Sequence, residues 1–596
     1  MNILLTAINA KYIHSNLAVY SLRACAGEYR DAVELAEYTI NNQKDYILEE
    51  LYKRKPDVLC FSCYIWNIDY VTDIAREYKK LCPSVPIWVG GPEVSYEVEA
   101  FLRENPYIDG VMIGEGEDTF RELCGYYAHQ KRLIDIAGIA FRKKSADGKA
   151  GEIVFTSPRP IKNISEIPFC YDTLDDFSNR IIYYESSRGC PFSCSYCLSS
   201  VDKTLRFRDT EIVKRELKFF IDQKVPQIKF VDRTFNCNHA HAMELWRFIK
   251  ANDNGVTNFH FEISADLLNQ EELELISDMR PGLIQLEIGV QSTNEVTIKE
   301  IHRTMKLERL KEVVKLIQSG NNIHEHLDLI AGLPYEDYDS FGRSFDEIYE
   351  LKPNQLQLGF LKVLKGSYMF EHAAEYGIVY HDKPPYEVMS TKWLSFDDVI
   401  KIKRVEDMLE VYYNSGQFEI TMKLMECIFD SAFEFFQELG DFYEANGYFG
   451  MSHSRIRRCE ILLEFLALYL HGCDNDAMTS VVLSENAGDR DNTDFDENAQ
   501  IYSMIQESLI FDLYYRENCK SRPRWATDIG SFKHMTHAYC KNGKLSHVEP
   551  FHYIFPDKHT RKLDELPKYH KEPVWALFHY DMRDPLDHQA LVEYIE

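Results

Sequence analysis

Short apolar runs alternate with amphipathic stretches through the first two thirds of the chain, and the two patterns predict two α/β series. Residues 2–8 (NILLTAI), 58–65 (VLCFSCYI), 87–91 (IWVGG) and 110–116 (GVMIGEG) are apolar almost without a break. Continuous rather than alternating hydrophobicity predicts strands buried on both faces, as in a parallel sheet. Residues 15–27 and 69–81 carry helical spacing between them. Residues 1–145 therefore read as a Rossmann-like, doubly wound domain whose ligand lies beyond the C-terminal strand ends. A linker, 146–180, holds prolines at 158, 160 and 168. Six further runs, at 181–187, 228–232, 259–264, 284–289, 324–332 and 355–361, are separated by helical segments such as 210–223 and 306–320. Six such units in residues 181–388 predict a partial (βα)6 TIM-like barrel with its chemistry at the C-terminal strand ends. Residues 389–596 read as mostly helical. The acidic stretch 484–500 lacks an apolar period and reads as a solvated loop, without the glycine a calcium loop needs. No internal repeat is present, and the last 80 residues show no interpretable motif.

The predicted strand ends of the first domain are NAKYIHSN, CYIWN, GGPEVS and GEGEDT. They offer Asn9, Ala10, Tyr12 and His14, then Ser62 and Tyr64, then Gly90, Gly91, Pro92 and Glu93, then Gly114, Glu115, Gly116 and Glu117. Two glycine pairs at neighbouring strand ends let a ligand approach the backbone, although turns also call for glycine. No G-x-G-x-x-G opens the first helix, and the acidic GEGEDT is a poor cradle for pyrophosphate.

Composition narrows the class. With 596 residues, the length suggests about four domains. Hydrophobic residues make up 45% and charged residues 27%, so the chain is globular. The net charge of −28 argues against a broad nucleic-acid face. The first residues show no signal-peptide pattern, and no run of 18 apolar residues predicts a membrane span. The chain reads as cytoplasmic. Its 15 cysteines are then expected as reduced thiols or metal ligands.

Three cysteines stand out. Cys190, Cys194 and Cys197 lie in GCPFSCSYC, just past a predicted strand. Iron–sulfur clusters normally take four thiolates. Three would leave one iron open, which is the mark of a reactive rather than a structural centre. Zinc is the competing reading, with Cys237, His239 and His241 of FNCNHAHAM as further ligands and Asn236 or Asn238 as a helix cap. Merely buried thiols are a third reading. Cys60 and Cys63 lie three apart within one strand, point to opposite faces and read as core.

The spacing C-x-x-x-C-x-aromatic-C, with Tyr196 before the last cysteine, resembles the signature of radical S-adenosylmethionine (SAM) enzymes. The resemblance implies a 4Fe-4S cluster on Cys190, Cys194 and Cys197. Its open iron binds SAM, whose reductive cleavage yields a 5′-deoxyadenosyl radical, anaerobic chemistry fed by an external flavodoxin- or ferredoxin-type electron donor. LEIGVQSTNEVTIKEIHR is similar to the strand-four segment of the branch that includes oxygen-independent coproporphyrinogen oxidase, and implies Gln291 and Arg303 at SAM. HLDLIAGLP implies Asp328 and Ile330, and HFEISAD implies Glu262. FVDRTFN replaces that branch's glycine-rich segment, so the backbone of Val231, Asp232 and Arg233 stands in for it. Tyr196 completes the set. Glu262 and Asp328 taken singly also read as structural salt-bridge partners.

An α/β domain with GGPE and GEGE ahead of such a barrel resembles the cobalamin-binding radical SAM enzymes, over residues 1–390, and the rest resembles an uncharacterised domain of one bacterial branch. That implies cobalamin on the four strand-end loops and their fourteen residues named above. D-x-H-x-x-G is absent, so cobalamin is expected base-off without a histidine ligand, and His14 as a loop or substrate-side residue. The expected activity is methyl transfer to a poorly activated carbon of a small molecule or peptide. The alternatives are a cobalamin-assisted cyclisation, rearrangement or redox step, a tRNA-modifying enzyme, and a non-catalytic zinc-stabilised corrinoid-binding module.

Overall fold

The computed structural model describes residues 1–143, 151–471, 497–540, 545–556, 560, 563 and 565–595. Its first sheet contains β1 (Ile3–Asn9), β2 (Val33–Thr39), β3 (Val58–Ser62), β4 (Ile87–Gly90), β5 (Gly110–Met112), β6 (Ile139–Arg142) and β7 (Ile153–Phe155). The order is β2-β1-β3-β4-β5-β6-β7. The first five strands are parallel; β6 and β7 are antiparallel. β1 and β3 are buried at every position because helices cover both faces. Cys60 and Cys63 fall in the two separate apolar cores on opposite sides of the sheet. β7 lies within the stretch read as linker, so the first sheet runs past residue 145.

The order reverses between β1 and β3, where such sheets bind ligands. Side chains tie the two loops at this point. Asn67 Nδ2 and Trp66 Nε1 donate to the Ile8 carbonyl at 3.0 and 3.2 Å. Asn16 Nδ2 donates to Ser62 Oγ at 3.3 Å.

The second sheet begins with β8 (Ile182–Tyr184). A two-stranded ribbon follows, β9 (Ser187–Arg188) paired with β10 (Arg206–Phe207). The remaining strands are β11 (Gln227–Phe230), β12 (Asn258–Ile263), β13 (Ile284–Gln291), β14 (His324–Ala331) and β15 (Gln355–Phe360). The order β15-β14-β13-β12-β11-β8 is parallel throughout, an open barrel of six strands. β13 alternates strictly between buried and half-buried positions. Ile284, Leu286, Ile288 and Val290 belong to the main core, while Gln285, Glu287, Gly289 and Gln291 share the opposite face. The register sets Glu287 beside Glu262 and His326, and Gly289 beside Asp328.

Both outer strands of this open sheet are capped. Ile181, just before β8, donates its N–H to the Ile13 carbonyl at 2.8 Å, and Ser15 Oγ donates to the Ile181 carbonyl at 2.8 Å. At β15, Asn414 accepts from Leu356 N at 3.0 Å and donates to its carbonyl at 2.7 Å. Asn414 ends a π-helical turn, Leu409–Asn414.

The C-terminal region packs helices Phe396–Met408, Glu419–Met425, Ala432–Ala445, Arg455–His471 and Glu497–Arg516. Residues 497–500 of the stretch read as a loop open the last of these, because Ile501 and Tyr502 start its packing against the core; residues 484–496 lie outside the described residues. The motif-poor C-terminal stretch holds an antiparallel sheet of Ser546–Tyr553, Tyr569–Arg583 and Ala590–Ile595. Among the described residues no helix is long and apolar enough to cross a membrane.

Candidate functional site

The three cysteines sit on the loop enclosed by the β9–β10 ribbon. Cys190 and Cys194 are buried and Cys197 is half-buried. Gly189 enters the loop at φ +91°, where an added Cβ would lie 2.5 Å from the Thr204 carbonyl, so glycine is required. Cys190 N donates to the Asp202 carbonyl at 3.3 Å. Ser195 N donates to the Ile301 carbonyl and its own carbonyl accepts from Met369 N, both at 2.9 Å. The loop is thereby fastened to the segments after β13 and β15.

Arg303 reaches this loop from beyond β13. Its Nη1 lies 3.2 Å from Tyr196 Oη and 3.9 Å from Cys194 Sγ, and its Nη2 donates to the Gly289 carbonyl. Gln291 adopts φ +77° at a register shift in β13. Strained backbone of this kind costs about 1–3 kcal/mol and clusters at functional sites. Gln291 Oε1 and Arg303 Nε are buried with no protein partner. These atoms, with Arg303 reaching the Cys194 thiol, fit a cluster that carries a ligand with both an acceptor and a donor.

Carboxyls on neighbouring strands complete the site. Burial pushes the Glu262 carboxyl up to about 7, against the pull of Arg233 and with the push of Glu287. Burial, with Glu287 and Glu262 close by, holds Asp328 well above its ordinary value. Glu287 goes the other way: burial opposes its ionisation, yet His260 at 2.9 Å and Lys229 at 2.8 Å keep its carboxylate well below the usual range. Ile330 follows Asp328 on the same half-buried face of β14.

Asp232 is fully buried and already engaged. It accepts from Ser186 N at 2.9 Å and from Ser186 Oγ and Ser187 Oγ at 2.6 Å. Its side chain therefore anchors the entry to β9, while Val231 N donates to the Tyr184 carbonyl at 2.9 Å. Cys237 lies in the turn after β11, and Asn238 rather than Asn236 caps the next helix. His239 pairs with Glu272 at 2.9 Å, and His241 lies 3.0 Å from Ser186 Oγ. Among the described residues no three His, Cys, Asp or Glu side chains converge on one ion. Zinc draws four ligands to about 2.0–2.3 Å, whereas a 4Fe-4S cluster spreads its thiolates over separate irons.

The strand-end residues of the first sheet divide into two groups. Gly91 adopts φ +121° with an added Cβ 2.4 Å from the Cys63 carbonyl. Gly114, at φ +73°, has open space where a Cβ would stand. Ser62 and Tyr64 stand at the β1/β3 switch point, and Tyr64 stacks on Trp66 at 4.4 Å. Gly91 is thus needed for close backbone packing, while the open Gly114 and an aromatic plate fit a large flat ligand. The other group faces protein. Asn9 donates to the His14 carbonyl at 3.1 Å and to Glu37 at 2.9 Å. Ala10 joins Asn9 to the exposed Tyr12, which stacks on the Arg180 guanidinium. His14 Nδ1 lies 2.7 Å from Tyr183 Oη of β8. Glu93, next to Gly90 and Pro92 in the β4 loop, accepts from Tyr386.

Glu115 and Glu117, either side of Gly116, hold Arg188 at 3.3 and 2.8 Å, and Glu115 holds Arg206 at 2.6 Å. Sequence reasoning missed both arginines. It also missed Lys229, His260 and His326, although the alternation in HEHLD signals a polar inner face. A cavity of about 470 Å3 joins the two sheets, with Tyr64 and Glu117 from the first and Val231, Arg233 and Gly189 from the second.

Comparison with known families gives a B12 binding domain over residues 3–124 and the radical SAM superfamily over residues 184–348. The chain carries a B12-binding domain and a radical SAM domain. Residues 374–589 match a family of unknown function, DUF4080. This radical SAM protein is 28% identical over 351 residues to the cobalamin-dependent radical SAM methyltransferase TokK of Streptomyces tokunonensis, covering 55% of the chain and 49% of TokK. It is 23% identical to an anaerobic magnesium-protoporphyrin IX monomethyl ester cyclase of Rubrivivax gelatinosus, covering 55% and 60%. The chain thus spans about half the length of the first of these relatives. The fold is shared with the cobalamin-dependent SAM radical enzyme OxsB, solved with aqua-cobalamin and SAM, at TM-score 0.53, 15% identity and coverage of 86% and 79%.

Proposed function

We propose that this B12-binding radical SAM protein is a cobalamin-dependent methyltransferase that acts on a poorly activated carbon of a small molecule or peptide. One observation carries the reading: the ligand-binding strand ends of both sheets border one cavity, with Tyr64 from the first sheet and Arg233 from the second. Residues 1–145 hold cobalamin base-off, without a histidine ligand. β7 extends that first sheet and residues 156–180 link; 181–388 would bind the cluster and SAM, and 389–596 form the mostly helical C-terminal region, whose Asn414 caps β15. Cys190, Cys194 and Cys197 would hold the cluster; Tyr196, Glu262, Gln291, Arg303, Asp328, Ile330 and the Val231–Arg233 backbone would hold SAM. When bound, the cluster supplies an electron to SAM, and the corrinoid supplies a methyl group; the protein aligns them and excludes water. Arg303 orients the SAM side through its fork to Gly289 and Tyr196, and ionised Glu262 meets a cationic or hydroxyl group. The protein works in the cytoplasm under anaerobic conditions, with a flavodoxin or ferredoxin as electron donor.

The test is anaerobic reconstitution with iron, sulfide and methylcobalamin, followed by incubation with methyl-labelled SAM and a cell extract. S-adenosylhomocysteine formed together with 5′-deoxyadenosine and a labelled product supports methyl transfer. Absence of 5′-deoxyadenosine under strong reduction sinks the reading. A brown protein with about four irons per chain, lost in a triple Cys→Ala variant, separates it from a zinc module. A second reading, cyclisation without methyl transfer, is favoured by the match to a cyclase. It predicts 5′-deoxyadenosine with no homocysteine product tied to turnover.

A further inference from the structure

The acidic loop of the first sheet does not spend its carboxylates on a ligand. Glu117 Oε1 accepts from Arg188 Nη2 at 2.8 Å, and Glu115 Oε1 accepts from Arg206 Nη1 at 2.6 Å with Arg188 Nη1 3.3 Å away. Glu115 Oε2 also accepts from Lys162 N at 2.9 Å. Burial opposes the charge on Glu115, but the Lys162 N–H and both guanidiniums outweigh it and hold the carboxyl below its ordinary range. The Glu117 side chain is 8% exposed and Arg206 13%, so the network is largely out of water. Charge-assisted pairs in that setting are strong and directional.

Arg188 and Arg206 face each other across the β9–β10 ribbon, whose enclosed loop carries the three cysteines. Arg188 stands two residues before Cys190, and Glu185 clamps it from the barrel side at 2.7 Å. Arg206 also donates to Asp202 at 2.8 Å, and the Asp202 carbonyl accepts from Cys190 N. The base of the cysteine loop is therefore gripped by the strand-end loop 114–117. Gly114 of that same loop is open on the side a Cβ would fill, while Gly116 packs against Leu22.

We propose that Arg188 is a positioning residue that couples the two cofactor sites, so that filling the first-sheet site and filling the cysteine loop strengthen one another. The inference rests on the assignment of a corrinoid to the first sheet and an iron–sulfur cluster to the loop. Coupling between two binding sites is reciprocal, so either ligand reports it. The ribbon is the shared element: a corrinoid seated against the open Gly114 fixes Glu115 and Glu117, these fix the arginines, and the arginines fix the loop at Cys190. A cluster on the loop acts back along the same contacts.

The experiment measures hydroxocobalamin binding to the full chain by its visible absorbance. It compares protein with a reconstituted cluster against the triple Cys→Ala variant, each also as E117Q and R188K. Cluster loading is expected to tighten hydroxocobalamin binding about fivefold or more in the native background, and both charge-network variants should abolish that ratio. R188K keeps the charge but lacks the fork that spans two carboxylates, so it carries the test where E117Q does not fold. A purely structural role for Arg188 would lower both affinities and leave their ratio intact, which overturns the inference. Equal affinities in the native background overturn it as well. No binding in either form instead sinks the corrinoid assignment beneath it, and the coupling falls with it.

Discussion

The pH dependence of SAM binding gives the sharpest check on the barrel site. Glu262 has an ordinary carboxyl value of 4.5 and is pushed up to about 7, mainly by burial. A ligand that needs the carboxylate sees only the ionised fraction, and its apparent Kd rises as that fraction falls. With a pKa of 7, about ten elevenths is ionised at pH 8 and about one eleventh at pH 6. SAM should therefore bind about tenfold more weakly at pH 6 than at pH 8, or about 1.4 kcal/mol. The cost of folding follows the opposite sign. A carboxyl raised in the folded state favours folding below its unfolded value and loses that contribution as pH rises through 7. The rise of about 2.5 units amounts to about 3 kcal/mol at pH 8. Glu262→Gln removes a charge the fold disfavours, so it should raise the unfolding midpoint of the ligand-free protein at pH 8 and change it little at pH 4.5. The same variant should lose the pH slope of SAM binding. Anaerobic calorimetry on cluster-loaded native and E262Q protein at pH 6, 7 and 8 measures both slopes. A flat native slope, or an equal slope in E262Q, refutes the assignment of Glu262 to SAM.

Three further outcomes follow from single contacts. Arg303→Lys removes the fork between Gly289, Tyr196 and the cysteine loop, and should weaken SAM binding about tenfold or more on cluster-loaded protein; unchanged affinity contradicts it. Asp232→Ala strands three donors on Ser186 and Ser187, each worth about 1–3 kcal/mol, and should lower both the melting midpoint and the iron bound per chain. Asp232→Asn should do less, since one amide oxygen still serves both hydroxyls. Gly91→Ala places a Cβ against the Cys63 carbonyl at a φ that costs about 1–3 kcal/mol, so native-like hydroxocobalamin affinity and stability in that variant would count against the strand-end cradle.

The first domain was legible where its strands are central and illegible at the edge. β1 and β3 are buried on both faces, so their apolar runs are unbroken. β2 forms the outer edge of the sheet and reads VELAEYT, with Glu34 half-exposed and Glu37 held by Arg180, so it carries no such run and escaped notice. At the other edge, β6 and β7 are antiparallel strands of only four and three residues, and β7 is the outermost. In the barrel the strands were found, but the meaning of their alternation was not. The Ile284, Leu286, Ile288 and Val290 face belongs to the main apolar core, while Glu287 pairs with His260 of the adjacent β12 and with Lys229 of β11, one strand further on. Such pairings join residues 27 to 58 positions apart, and only the register brings them together.

The cysteine loop was legible because its signal is local: three thiols within eight residues need no tertiary knowledge. The glutamates of GEGEDT were legible as charges but not as partners. In a linear reading an acidic pair beside two glycines belongs to whatever ligand the glycines admit. Their partners, Arg188 and Arg206, lie 71 to 91 residues further on, in a segment read for its cysteines alone. Two carboxylates on a ligand-facing loop would repel an acidic ligand and pay for desolvation against a neutral one, unless cations elsewhere in the fold take them up. The arginines resolve that conflict. They leave Gly114 open while the flanking charges turn toward the ribbon. On the proposed assignment, the loop that would hold one cofactor is tied by its glutamates to the loop that would hold the other.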